Sequence, residues 1–193
     1  KSVSKSFVSS LTKELDEMVE AWRNSSLEGT CYPYLMVDVL FIKVRENHRV
    51  VSKSCYVAIG ITEDGDREII GFLIQDTESE ESWSNFFDHL KSRNLKGLKM
   101  VISDAHKGLV NAIKACKILD EGFEDAFQYS VNGIAHPRLR STNLLERLNE
   151  EIRRREKVIR IFPNVDSATR LIGAVLIDQQ DKWLESSKAY IKI

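Results

Sequence analysis

Three carboxylates stand where their surroundings ask for an explanation. Asp38 lies in "YLMVDVLFIKV"; Tyr34, Met36, Leu40 and Ile42 share its face of an extended strand, and Leu35, Val37, Val39 and Phe41 occupy the other, so both faces read as buried. An ionised carboxylate in such a place needs a metal ion, a cation or a set of hydrogen-bond donors, because burial without a partner is strongly unfavourable. Asp104 stands where "KMVIS" passes into "AHKGLVNAIKAC". Ligand sites of open α/β sheets gather at such carboxyl ends of strands, and an aspartate there is equally a good helix N-cap. Glu146 falls in the first turn of "STNLLERLNEEIRRR", three residues after Asn143, a spacing that also suits a capping box. Its helical face continues through Asn149, Glu150, Arg153 and Lys157, while Leu145, Leu148 and Ile152 form an inward stripe.

Aspartate and glutamate oxygens are the ligands that hard cations such as Mg²⁺ or Mn²⁺ prefer. Two such ions about 4 Å apart activate a water or hydroxyl and stabilise the leaving oxygen in phosphoryl transfer. Competing chemistries lack their signatures: the chain has no Gly-rich phosphate loop, no G-x-S-x-G elbow and no His-x-x-x-His helix pair. His106 and Asn149 are candidate accessory groups, the first close to Asp104 and the second on the face of Glu146; His106 equally suits an exposed position in a first helical turn. His48, His89 and His136 read as turn or surface residues. The net charge of −1 argues against a uniformly basic nucleic-acid coat, yet basic residues outnumber acidic ones between Arg138 and Arg160. Arg147, Arg153, Arg154, Arg155 and Lys157 are the candidate phosphate contacts there, the alternative being a solvated helix face.

The elements that must position these groups follow from periodicity. Phe7, Leu11, Leu15 and Met18 repeat at helical spacing before "NSSLEGT" breaks the helix, giving an N-terminal helix and linker over residues 1–30. The rest, 31–193, reads as one core of β-β-β-α-β-α order. Three strands separated by "RENHRV" and "TEDGD" form a meander, a helix carries Trp83, Phe86, Phe87 and Leu90 on one side, and "LKMVIS" is a short strand expected parallel to the first. A final helix lays Leu171, Ile172, Val175, Leu176 and Trp183 on the core. The predicted fold class is therefore α/β, a mixed sheet flanked by helices. Cys31, Cys55 and Cys116 follow neither zinc-ligand nor secreted-framework spacing and are expected as reduced thiols of a cytoplasmic protein; no apolar run is long enough to span a membrane. The opening "KSVSKSF", without methionine, suggests a fragment of a longer chain.

Taken together, "YLMVDVLFIKVRENHRVVSKSCYVAIGI", "LKMVISDAHKGL" and "LRSTNLLERLNEEIRRREKVIRIFPN", followed by "SATRLIGAVL", resemble the Mutator-type DDE transposases of prokaryotic insertion sequences over nearly the whole chain. The resemblance implies a ribonuclease-H-like fold in which Asp38, Asp104 and Glu146 correspond to the catalytic, metal-binding triad. It further implies two Mg²⁺ ions (or Mn²⁺), cleavage at transposon ends by water, joining of the freed 3′-hydroxyl to target DNA, a homodimer bridging two DNA ends, and a nucleoid-associated setting. The N-terminal "SVSKSFVSSLTKEL" looks like the end of that family's helix-turn-helix DNA-binding region. One departure is plain. A further strand with a Cys-x-x-His motif and a long helical insertion, usual between the second aspartate and the glutamate, has no counterpart near 115–120, where "NAIKACK" runs almost directly into "ILDEGFEDAF". A catalytically impaired DNA-binding or assembly fragment, and a metal-dependent nuclease without strand transfer, are the alternative readings.

Overall fold

In a computed structural model, which describes residues 4–104, 107–116, 137–140, 142–186 and 189–191, the chain is built around two long strands. β1 (Tyr34–Glu46) and β2 (Arg49–Ile61) pair antiparallel across Asn47 and His48, whose φ values of 48° and 62° supply the backbone twist of a tight hairpin. After a turn at Gly65 (φ 83°), β3 (Arg67–Gln75) returns along β2. Ser79 then caps helix α2 (Glu80–Ser92) by accepting a hydrogen bond from the Ser82 amide, and the chain crosses to β4 (Met100–Ile102), which lies parallel to β1. The sheet order is β3-β2-β1-β4. This mixed sheet flanked by helices is the arrangement expected of a ribonuclease-H-like fold.

The remaining helices are α1 (Lys5–Arg23), α3 (Lys107–Cys116), α4 (Asn143–Ile159) and α5 (Val165–Glu185), with a 3-10 turn at Pro137–Arg140. They divide between the two faces of the sheet. Leu35, Val37 and Tyr56 face α2 and α3 and meet Trp83, Phe86, Phe87 and Leu90, the aromatic stripe predicted for α2. Met36, Leu40, Ile42 and Val57 face the opposite way, against Leu145, Leu148 and Ile152 of α4 and Ile172 and Leu176 of α5. Helix α1 joins this second layer. Arg170 of α5 donates to both carboxylate oxygens of Asp16 at 2.6 and 2.8 Å, and Trp22 stacks on Phe72 with ring centroids 6.0 Å apart. Val19 presses so closely on Gly173 that a Cβ there would lie 2.4 Å from Val19 Cγ1.

Helix α4 is pinned to the sheet at its far end as well. Beyond Arg160, the Phe162 amide donates to the Lys43 carbonyl at 2.8 Å and its carbonyl accepts from the Arg45 amide at 2.8 Å, so the chain leaving α4 adds a bridge to the end of β1. Two local expectations fail. His89, expected at the surface, is half-buried in α2; burial lowers its pKa, and its Nε2 has no hydrogen-bond partner among the described residues. The Asn143–Glu146 capping box does not form, because Thr142 is the N-cap, Asn143 is already helical, and no side chain bonds the first turn.

Candidate active site

Asp38 sits near the middle of the sheet on the face that α4 covers. Its neighbours Met36, Leu40 and Ile42 are fully or almost fully buried and Asp38 is half-buried, so the carboxylate lies in an apolar layer close to its edge. Two donors hold it: Oδ1 accepts from the Val39 amide at 2.8 Å, and Oδ2 from Asn149 Nδ2 of α4 at 2.6 Å. Burial nevertheless raises its pKa above the ordinary 3.8. The Val39 bond opposes that shift, the negative charge of Asp104 adds to it, the Asn149 bond opposes it, and Glu78 adds further.

Asp104 reaches this neighbourhood through strand register. β1 and β4 are parallel with Met36 beside Ile102 as the last pair, and Asp38 and Asp104 each follow two residues beyond it. That placement agrees with the repulsion Asp38 feels from it. Asp104 is exposed, so water reaches the pair from the β4 side. Glu146 lies in the first turn of α4, exposed, one helical turn before Asn149 and on the same side of the helix. Its backbone amide is taken by the Thr142 carbonyl at 2.9 Å, and its carboxylate has no capping duty.

The chemistry of the donors suits a hard divalent ion, since they are carboxylate oxygens with an amide beside them. Their assembly is incomplete. Among the described residues no group of three or more His, Cys, Asp or Glu side chains is close enough to hold a metal ion, so Asp38, Asp104 and Glu146 do not come together as one set of three. His106 lies outside the described residues. Glu78, half-buried in the loop before α2, is an acid of this neighbourhood that the strand and helix patterns did not single out.

The candidate phosphate contacts on α4 are all exposed but differ in their partners. Arg153 pairs with Glu156 at 3.4 Å and Arg154 with Glu151 at 2.6 Å, both within the helix, which reduces their net positive field. Arg154 and Arg155 also lie within electrostatic range of Asp178 on α5, whose pKa is lowered first of all by Lys182. Arg147, at the Glu146 end, is exposed, and its field also acts on Arg67 and on Tyr190, a ring covered by the guanidinium groups of Arg67 at 5.5 Å and Arg138 at 5.4 Å. Lys157 is exposed. Helical spacing put these cations on one helix without saying which of them the helix's own acids would neutralise.

Known proteins resemble this chain closely. A profile described as "Transposase, Mutator family" matches residues 1–118 and 113–186. A Staphylococcus aureus protein described as the transposase for insertion sequence element IS256 in transposon Tn4001 is 51% identical over 257 aligned residues, covering 99% of this chain and 66% of the relative. The Rhizobium meliloti transposase for insertion sequence element ISRM5 is 32% identical, over 96% of this chain and 63% of the relative. The Mycobacterium tuberculosis transposase for IS1081 is 33% identical, over 96% and 60%. The chain thus spans slightly less than two thirds of the length of these relatives.

Proposed function

The chain belongs to the Mutator family of transposases, and from that premise we propose that it is the catalytic core of an enzyme that cuts DNA at the ends of an insertion sequence and joins the freed 3′-hydroxyl to target DNA. The observation that supports the reading is a half-buried Asp38 that feels the negative charge of an exposed Asp104, each two residues beyond the last pair of the parallel strands β1 and β4. Asp38, Asp104 and Glu146 are the residues that would hold Mg²⁺ or Mn²⁺. When bound, such ions supply a low-pKa hydroxyl and stabilise the charge of the departing oxygen. The chain's own groups have separate tasks. Val39 and Asn149 fix the orientation of the Asp38 carboxylate. Arg147, adjacent to Glu146 and exposed, contacts the DNA phosphates nearest the cut, with Arg153, Arg154, Arg155 and Lys157 guiding the duplex further along α4. Residues 1–30 lead from the DNA-binding region, and two copies bridge the two element ends.

The test is metal-dependent joining of labelled element ends by the full-length protein. Native protein should give joined product and Asp38→Asn none, while duplex binding is retained. A second reading, a DNA-binding or assembly fragment without chemistry, is favoured by the absence of a three-ligand cluster among the described residues. It predicts DNA binding with no product from the native chain. Ends that are nicked but never joined would instead identify a nuclease.

A further inference from the structure

The two polar atoms of Asn149 meet different fates. Nδ2 donates to Asp38 Oδ2 at 2.6 Å, whereas Oδ1 is buried and has no hydrogen-bond partner among the described residues. A buried amide oxygen without a partner keeps its desolvation penalty with nothing in return. The neighbouring inward positions of α4 are Leu145, Leu148 and Ile152, all buried, so an aliphatic side chain suits the layer that Asn149 borders. Packing alone does not account for an amide there.

Asp38 does account for it. With Oδ1 accepting from Val39 and Oδ2 from Asn149, each carboxylate oxygen is fixed by one donor and keeps a lone pair for another partner. The first donor comes from the strand itself and the second from the helix that carries Glu146, so the same bond that orients Asp38 also sets α4 against β1 at the level of the site. We propose that Asn149 is a positioning residue for metal binding: its amide holds the Asp38 carboxylate in the orientation that accepts a divalent cation, and the orphaned oxygen is tolerated for that purpose. The proposal rests on the reading of Asp38 as a metal ligand and adds a residue whose contribution is made through Asp38.

Partners that orient a ligand typically account for about ten- to a hundredfold in metal affinity. The experiment is Mn²⁺ binding to the 193-residue chain, followed by electron paramagnetic resonance, for native protein, Asn149→Leu, Asn149→Ala and Asp38→Asn, with the urea midpoint of each metal-free chain measured alongside. Both Asn149 variants should bind Mn²⁺ at least about tenfold more weakly. Their metal-free midpoints should stay near the native one, since the lost bond to Asp38 is offset by relief of the buried oxygen. Native affinity in either Asn149 variant overturns the proposal, as does unfolding of both metal-free variants, which would make the amide a structural tie. The functional reading fails separately, if Asp38→Asn binds Mn²⁺ as tightly as the native chain.

Discussion

The two faces of the sheet are built to different standards. Toward α2 and α3 the contact is dense and aromatic: Tyr56 meets Trp83 edge-on at 4.7 Å, Trp83 stacks with Phe87 at 5.8 Å, and Phe86 fits between them. Toward α1, α4 and α5 the layer is mostly aliphatic, and it is interrupted by the Asp38–Asn149 pair. Burying a carboxylate and leaving an amide oxygen without a partner both work against stability. The first face is therefore packed for stability, while the second carries polar groups at a cost to it. The hinge between them is β1 itself, whose odd-numbered residues Leu35 and Val37 serve one layer and whose even-numbered Met36, Asp38 and Leu40 serve the other.

If the faces differ in this way, substitutions should separate stability from metal binding. The largest effect is expected on the aromatic side. Phe86→Ala, at a fully buried position, should cost about 3–5 kcal/mol in urea unfolding while the folded fraction keeps native Mn²⁺ affinity. A parallel loss of affinity would mean that the faces are not independent. Next is Gly173→Ala, whose new Cβ must displace Val19; overpacking of about 1–3 kcal/mol should appear in the urea midpoint, with α1 the first segment to lose amide-exchange protection.

Asp38→Asn should act in the opposite direction on stability while abolishing activity. The folded-state pKa of Asp38 is raised, so its favourable contribution is complete below the unfolded value and is lost as pH rises through the folded one. Relative to native protein, the asparagine variant should therefore gain stability as pH rises from the acid side of 3.8 toward neutrality, measured by urea midpoints across that range. A pH-independent difference would show that the carboxylate is not held at a cost. The smallest effect is expected from Asp16→Ala. Its pair with Arg170 is bidentate but partly open to solvent, the side chains being 42% and 23% exposed, so screening limits its loss to at most about 1 kcal/mol, shrinking further in high salt.

Much of the scaffold was legible in the order of residues. The meander, the aromatic stripe of α2, the parallel return of β4 and the inward face of α5 follow from periods of two and 3.6 and from turn residues, all of which are local signals. The N-terminal helix was equally plain, with Ser4 at its cap accepting from the Phe7 amide at 3.2 Å. His89 was misread because Asn85, Ser92 and Arg93 beside it on the helix are polar or charged, and only packing against other elements made the position half-buried. The capping box failed because Asn143 entered the helix one residue earlier than the spacing assumed. The division of the arginines on α4 was not legible because Glu151 and Glu156 lie three residues from their partners, where rotamers, not sequence, select the pair.

The sequence by itself put Asp38 among apolar residues on a strand, where a carboxylate needs a partner, although it overstated the enclosure: Asp38 and Val39 are half-buried and Phe41 is exposed. It also identified the family through three motifs. Only the tertiary structure decided what encloses that carboxylate. The Asn149 amide is 111 residues away and meets Asp38 because α4 lies along β1, tied at its far end by Phe162. A strand's alternation fixes which side a residue faces; which partner waits on that side depends on how helices pack over the sheet, and no local pattern encodes that contact.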